Sequence, residues 1–170
     1  MIFISSDTNV WIDFMTIGKL ELPFRLPYTY LMYYEAVENE LLSPPDLKSG
    51  LTDNGLVPTD ITIDEFFLSE EYGRKYLKLS VYDRIALAVA KNRNIILLTG
   101  DAALRKAARQ ENVTVIGTIA VLDQLWNTNL ITESEYVSCL NGLLANNGKK
   151  VRLPKTELEA RLRMFKKNNQ

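Results

Sequence analysis

The 170-residue sequence is 46% apolar and 24% charged, which fits a single soluble globular domain with a sizeable core. It holds no histidine and one cysteine, Cys139, which excludes Ser-His and Cys-His catalysis, His-ligated zinc, thiolate metal sites and internal disulfides. Net charge is −1 but uneven: residues 149–170 carry +6 and residues 1–148 carry −7, so a basic tail on an acidic body could hold a nucleic-acid backbone or simply be a solvated terminal helix.

Residues 2–5 read as a short buried strand, followed by capping chemistry at Asp7-Thr8-Asn9 and a helix ending near Gly18. After a loop with Pro23 and Pro27, residues 28–32 form an aromatic-rich strand pattern. Residues 34–42 read as a helix that Ser43-Pro44-Pro45 stops. Residues 47–59, with Gly50, Gly55 and Pro58, read as loop, and residues 61–63 alternate like a short strand. A helix is expected over residues 64–79, whole or broken near Gly73, and another over residues 80–92. A strand follows at 95–98, a helix at 102–110, and a strand at 113–116 ending at Gly117. From Ala120 the chain is mostly helical, with a break at Asn146-Asn147-Gly148. The start lacks the basic and apolar regions of a signal peptide, and no apolar run approaches the ~20 residues of a membrane span, so a cytoplasmic protein is expected.

Strands alternate with helices, and Ile95-Ile96-Leu97-Leu98 is continuously apolar. The expected fold is therefore α/β, with a mostly parallel central sheet of four or five strands flanked by helices on both faces. Sites in such sheets form at the carboxyl ends of strands, where Asp7 and Asp101 both fall.

Each acidic candidate has a capping alternative. Asp7 and Asp101 sit at favoured N-cap positions, and Ser80-Val81-Tyr82-Asp83 fits a capping box. Two features argue for more. Asp83 heads a stripe of Ala86, Leu87 and Ala90, and Glu40 shares a helical face with Tyr33, Ala36, Val37 and Leu41. An acid on an apolar face is costly unless paired or bound to a cation. Converging carboxylates repel, and a hard divalent cation such as Mg²⁺ or Mn²⁺ relieves that repulsion.

These segments resemble the acidic motifs of PIN-domain nucleases. Ile4-Ser5-Ser6-Asp7-Thr8-Asn9, Ala36-Val37-Glu38-Asn39-Glu40-Leu41, Ser80-Val81-Tyr82-Asp83 and Leu97-Leu98-Thr99-Gly100-Asp101 occur in the family's order. The resemblance covers roughly residues 2–125 and implies a Rossmann-like three-layer sandwich. It also implies a Mg²⁺- or Mn²⁺-dependent endoribonuclease in which Asp7, Glu40, Asp83 and Asp101 bind metal and carry catalysis, with Asn9 and Thr99 as polar support. Many family members are toxins of toxin–antitoxin pairs, so RNA, an antitoxin protein and a second copy of the chain are the implied partners. The implied organisation is a nuclease domain over residues 1–125 and a basic helical extension over residues 126–170 that packs on the domain or projects from it.

Two other classes compete. One is a PIN-like nucleic-acid-binding or regulatory module without turnover. The other is an Asp-nucleophile phosphatase, which Asp7-Thr8-Asn9 disfavours because it lacks a second Asp two residues on. Tyr28, Tyr30, Tyr33 and Tyr34 are candidates to stack on bases or to fill the core. Arg84, Lys91, Arg93, Arg105, Lys106 and Arg109 are candidate phosphate contacts or scattered surface charge.

Overall fold

A computed structural model describes residues 1–166. Lys167, one of the tail's basic residues, lies outside the described residues. The sheet is built from β1 (Ile2–Ser6), β2 (Tyr28–Tyr33), β3 (Val57–Thr59), β4 (Ile96–Leu98) and β5 (Val115–Ile116). All neighbouring pairs are parallel, in the order β3-β2-β1-β4-β5. The chain therefore works outwards from β1 through β2 to β3, then returns to the other side of β1 with β4 and β5. The switch point lies between β1 and β4, where ligand crevices of open parallel sheets form.

Helices cover both faces: α1 (Thr8–Thr16), α2 (Tyr34–Glu40), α3 (Leu47–Asn54), α4 (Ile63–Lys75), α5 (Val81–Arg93), α6 (Ala102–Gln110), α7 (Thr118–Asn127), α8 (Glu133–Asn146) and α9 (Lys155–Lys166). Two adjacent residues of β4 show the layering. Leu97 joins a core with Tyr72, Leu87 and Leu104, and Leu98 joins a core with Ile4, Trp11 and Leu122. Successive strand side chains point to opposite faces, so a continuously apolar strand is what two covered faces require. The arrangement is a Rossmann-like three-layer α/β sandwich. Leu140, Leu143, Leu158 and Leu162 of α8 and α9 are buried in the same core as Ile4 and Trp11. No helix among the described residues is long and apolar enough to cross a membrane.

The expectations fail between residues 47 and 79. Residues 47–54 form a helix, not a loop. Gly55 adopts φ +118 and closes that helix, and Gly50 lets Leu20 approach, since a Cβ there would stand 2.8 Å from it. The third strand is Val57–Thr59, not 61–63; it tolerates Pro58 because it lies at the sheet edge. Thr62 instead opens α4 with a capping box, its hydroxyl accepting from Glu65 N while the Glu65 carboxylate accepts from Thr62 N. The helix runs unbroken through Gly73 and stops at Lys75. Gly73 is a packing residue: a side chain there would collide with the Arg84 guanidinium that lies across it from α5.

Candidate active site at the β1–β4 crevice

β1 and β4 deliver their following residues to the same rim. Asp7 N donates to Leu98 O at 3.0 Å, which fixes the end of β1 against the end of β4. Ser5 and Ser6, just before, spend their hydroxyls inside the fold, on Ala86 O at 2.9 Å and Leu31 O at 3.1 Å. Buried polar groups are thus satisfied at the floor, and Asp7 is the group left to face the crevice.

Asp7 stands at the N-cap of α1, but its side chain makes no capping hydrogen bond. The capping alternative therefore does not account for it. Its Oδ2 accepts instead from the Thr99 hydroxyl at 2.9 Å. The same Thr99 Oγ1 accepts from Asp101 N at 3.1 Å, so one hydroxyl bridges the ends of β1 and β4. Asn9 Oδ1 accepts from Gly100 N at 3.1 Å and ties the first turn of α1 to the same loop. Burial, then the nearby Asp83 charge, pushes the Asp7 carboxyl up to about 7.

Glu40 is the last residue of α2, half-buried, and lines a small cleft together with Asp7, Ser6 and Tyr82. Its Oε1 accepts from the Thr8 hydroxyl at 3.2 Å. Burial raises its pKa, with a further push from Asp83. Leu42 lies in the turn after α2 and is exposed. Glu38, two residues before Glu40 on α2, is by contrast an exposed partner of Lys48 at 2.7 Å.

Asp83 and Asp101 do perform their capping roles. Asp83 Oδ2 accepts from Ser80 N at 2.9 Å, while Asp83 N donates to Ser80 Oγ at 3.1 Å. Asp101 Oδ1 accepts from Leu104 N at 2.8 Å. Both nevertheless belong to the acidic rim electrostatically. Burial, opposed by the Ser80 hydrogen bonds and reinforced by the Asp101 charge, raises the pKa of Asp83. Among the described residues, no three acidic, histidine or cysteine side chains are arranged, as they stand, to hold a metal ion.

Sequence reasoning missed two site-side contacts. Thr8 orients Glu40, and nothing but its place beside Asp7 marks it. Asp13 is buried on α1 and accepts from the Thr118 hydroxyl at 2.6 Å; burial pushes its carboxyl up to about 6. A signal for it exists, since Asp13 shares a helical face with Val10 and Ile17, the same pattern that marks Glu40.

The aromatic and basic candidates divide. Tyr30 is core, while Tyr28 donates to Gln124 Oε1 at 2.6 Å and Tyr34 is exposed. Arg93 is committed to Glu65 at 2.6 Å and Lys91 to Glu111 O at 2.7 Å. Arg105 donates to Thr99 O at 2.8 Å, beside the rim. Lys106 and Arg109 are exposed on α6.

The Thr99 bridge predicts a specific defect. Thr99→Val keeps the shape but removes a hydrogen bond to an ionised carboxylate, worth about 1.5–3 kcal/mol. If the rim cleaves RNA, this variant should be roughly 10–100-fold slower at pH 7. That hydrogen bond holds the Asp7 pKa down, so its loss should move the acid limb of the rate profile to higher pH. An unchanged profile would remove Thr99 from the site.

A family model described as a PIN domain matches residues 3–167. No curated protein and no solved structure matches the chain. The match spans nearly the whole sequence, takes in all four acidic positions, and agrees with the parallel sheet and its crevice. PIN domains are generally nucleases that use divalent metals. The chain belongs to the PIN-domain family.

Proposed function

We propose that the protein is a divalent-cation-dependent endoribonuclease whose site is the rim of Asp7, Glu40, Asp83 and Asp101. The observation that carries this reading is Asp7: a buried carboxylate at the sheet's switch point, unused as a cap, with its charge opposed by burial and by Asp83. The donor set fits a hard cation, because the rim offers carboxylate and hydroxyl oxygens and the chain has no histidine. Asp7, Glu40 and Asp83 would hold such an ion, with Asp101 joining directly or through water. When bound there, Mg²⁺ or Mn²⁺ supplies a more acidic water and stabilisation of the charge that develops at a phosphodiester.

Asp83 and Asp101 would have to relax capping contacts to take part. A cap contributes about 0.5–2 kcal/mol, whereas the charge held on Asp7 at pH 8 opposes folding by up to ~4 kcal/mol. Cation binding can therefore offset the lost caps. The chain's own groups orient the acids: the Thr99 hydroxyl favours ionised Asp7, the Thr8 hydroxyl aims Glu40, and Asn9 fixes the turn before Asp101. An antitoxin partner, of the kind that toxin members of the family have, fits the same reading.

The test is cleavage of single-stranded RNA with Mg²⁺ or Mn²⁺, with and without chelator, comparing native protein with Asp83→Asn. Native cleavage should require the cation, and the variant should lose at least about 100-fold. Unchanged cleavage in Asp83→Asn would sink the site. A second reading, a PIN-like module that binds without turnover, draws support from the engaged caps of Asp83 and Asp101. Binding of RNA without cation-dependent cleavage would select it.

A further inference from the structure

Beside the acidic rim lies a groove of about 790 Å³, between α6, the start of α7 and the residues that lead into α9. Four arginines line it: Arg105 and Arg109 from α6, Arg152 from the loop before α9, and Arg161 from α9. Arg161 is occupied, pairing with both of the groove's acids, Asp123 at 2.7 Å and Glu157 at 2.8 Å, and the trio keeps one negative charge. Among the described residues, Arg105, Arg109 and Arg152 have no ion-pair partner. The lining as a whole is therefore net positive, with four guanidiniums against two carboxylates, and Arg105 and Arg109 oppose each other.

The cavity is built and held. The side chain of Asn147 clamps the loop by donating to Leu153 O at 2.9 Å and accepting from Leu153 N at 2.9 Å. Val151 beside Arg152 is buried and bridges to Asn147. Arg105 is anchored by its bond to Thr99 O, and Gly117 leaves it room, since a Cβ there would stand 2.8 Å from Arg105 Nη1. The groove also continues into the rim: Gly100 lines it, one residue before Asp101.

We propose that this groove grips the phosphate backbone of a single-stranded RNA as it passes the acidic rim, with Arg105, Arg109 and Arg152 as the phosphate contacts. The inference rests on the nuclease reading for the identity of the strand. Guanidinium forks match phosphate oxygens in pairs, and three of them lining one groove suit a repeating anion better than a single ion. Ile119, Leu153 and Pro154 supply apolar surface on which a ribose or base can lie. Attraction of the phosphates to these guanidiniums also offsets the repulsion that an acidic rim exerts on an approaching polyanion. The basic C-terminal stretch thereby gains a role, because Arg152 lines the same groove as the α6 arginines.

The experiment uses the full chain and a fluorescent single-stranded RNA of roughly a dozen nucleotides, in chelator so that the strand stays intact. Binding is followed against salt for native protein, for Arg109→Gln/Arg152→Gln, and for Arg163→Gln as a basic exposed control on α9 outside the groove. Loss of two phosphate contacts should flatten the plot of log affinity against log salt by about 1.4, at about 0.7 per contact on a single strand. Affinity should fall about equally for strands of different sequence, and the control should keep the native slope. An unchanged slope in the double variant, or an equal loss in the control, would overturn the groove. So would a Glu-rich peptide that displaces the strand from native protein and loses its own binding in the double variant, because it would make the groove a docking site for an acidic protein. The groove and the nuclease reading fail separately: no cleavage with a flattened slope removes only the nuclease, and normal cleavage with an unchanged slope removes only the groove.

Discussion

Asp7→Asn is expected to abolish cation-dependent cleavage and, in chelator at pH 8, to make the protein more stable. The two effects have one cause. Asp7 is 7% exposed, and its carboxyl is pushed up to about 7 from an ordinary 3.8. A raised acid pKa means that the folded state binds a proton more tightly than the unfolded one. The proton-bound form is accommodated fully below about pH 4; stability is then lost as pH rises towards 7 and stays lost above it. At about 1.4 kcal/mol per unit the loss is up to ~4 kcal/mol. Asparagine keeps an oxygen to accept from Thr99 Oγ1 and carries no charge. With about 2–4 °C per kcal/mol for a chain of this length, the variant should melt several degrees higher at pH 8. The gain should vanish near pH 4, where the native carboxyl is neutral as well. Mg²⁺ should raise the native melting temperature and move the variant much less. Melting curves at pH 4 and pH 8, with and without Mg²⁺, check all of this. A variant less stable than native protein at pH 8 in chelator would show that Asp7 is held for structure, not kept in tension for a ligand.

That tension also explains why the acidic rim is legible in the sequence. Asp7 and Asp101 each follow an apolar run, and alternation of strands and helices brings such ends to one rim. Leu97 and Leu98 need no periodicity to be recognised, because a strand buried on both faces has none. Glu40 is legible as an acid on an apolar helical face. Capping is legible too, and at Asp83 and Asp101 it is real. Residue type does not separate Asp7 from them, because all three stand where a cap belongs. The separation comes from where Thr99 points, which is a long-range fact. The stretch from Leu47 to Thr62 misleads for the opposite reason. Its glycines and proline look like loop punctuation, yet each answers a tertiary demand: Leu20 against Gly50, a helix end at Gly55, a sheet edge at Pro58. The arginine groove is legible only in part: Arg105 and Arg109 stand among the candidate phosphate contacts, but it takes the packing of the C-terminal segment to bring Arg152 into the same groove.

The largest stability effect should come from Glu65, far from the rim. Glu65 is 1% exposed, and its carboxylate accepts from Arg93 Nε at 2.6 Å and Arg93 Nη2 at 3.0 Å. The same carboxylate accepts from Thr62 N and from Asn92 Nδ2, so it caps α4 and pins the end of α5 at once. Arg93 also donates to Asp60 O, which ties down the turn after β3. Glu65→Ala removes the four bonds to its carboxylate and leaves a guanidinium partly buried without its counter-charge. Breaking a buried pair on one side costs about 3–5 kcal/mol, far more than the ~1 kcal/mol of a surface pair such as Lys48–Glu38. The urea midpoint should fall accordingly, while the folded protein keeps its cleavage rate, because Asp83 lies at the opposite end of α5 from Arg93. Replacing both partners by apolar residues, as in Glu65→Met/Arg93→Leu, should recover most of the loss, since no charge is then left buried alone. A Glu65→Ala cost below about 1 kcal/mol would mean that Arg93 finds water as easily as Glu65, and that the network only decorates the surface.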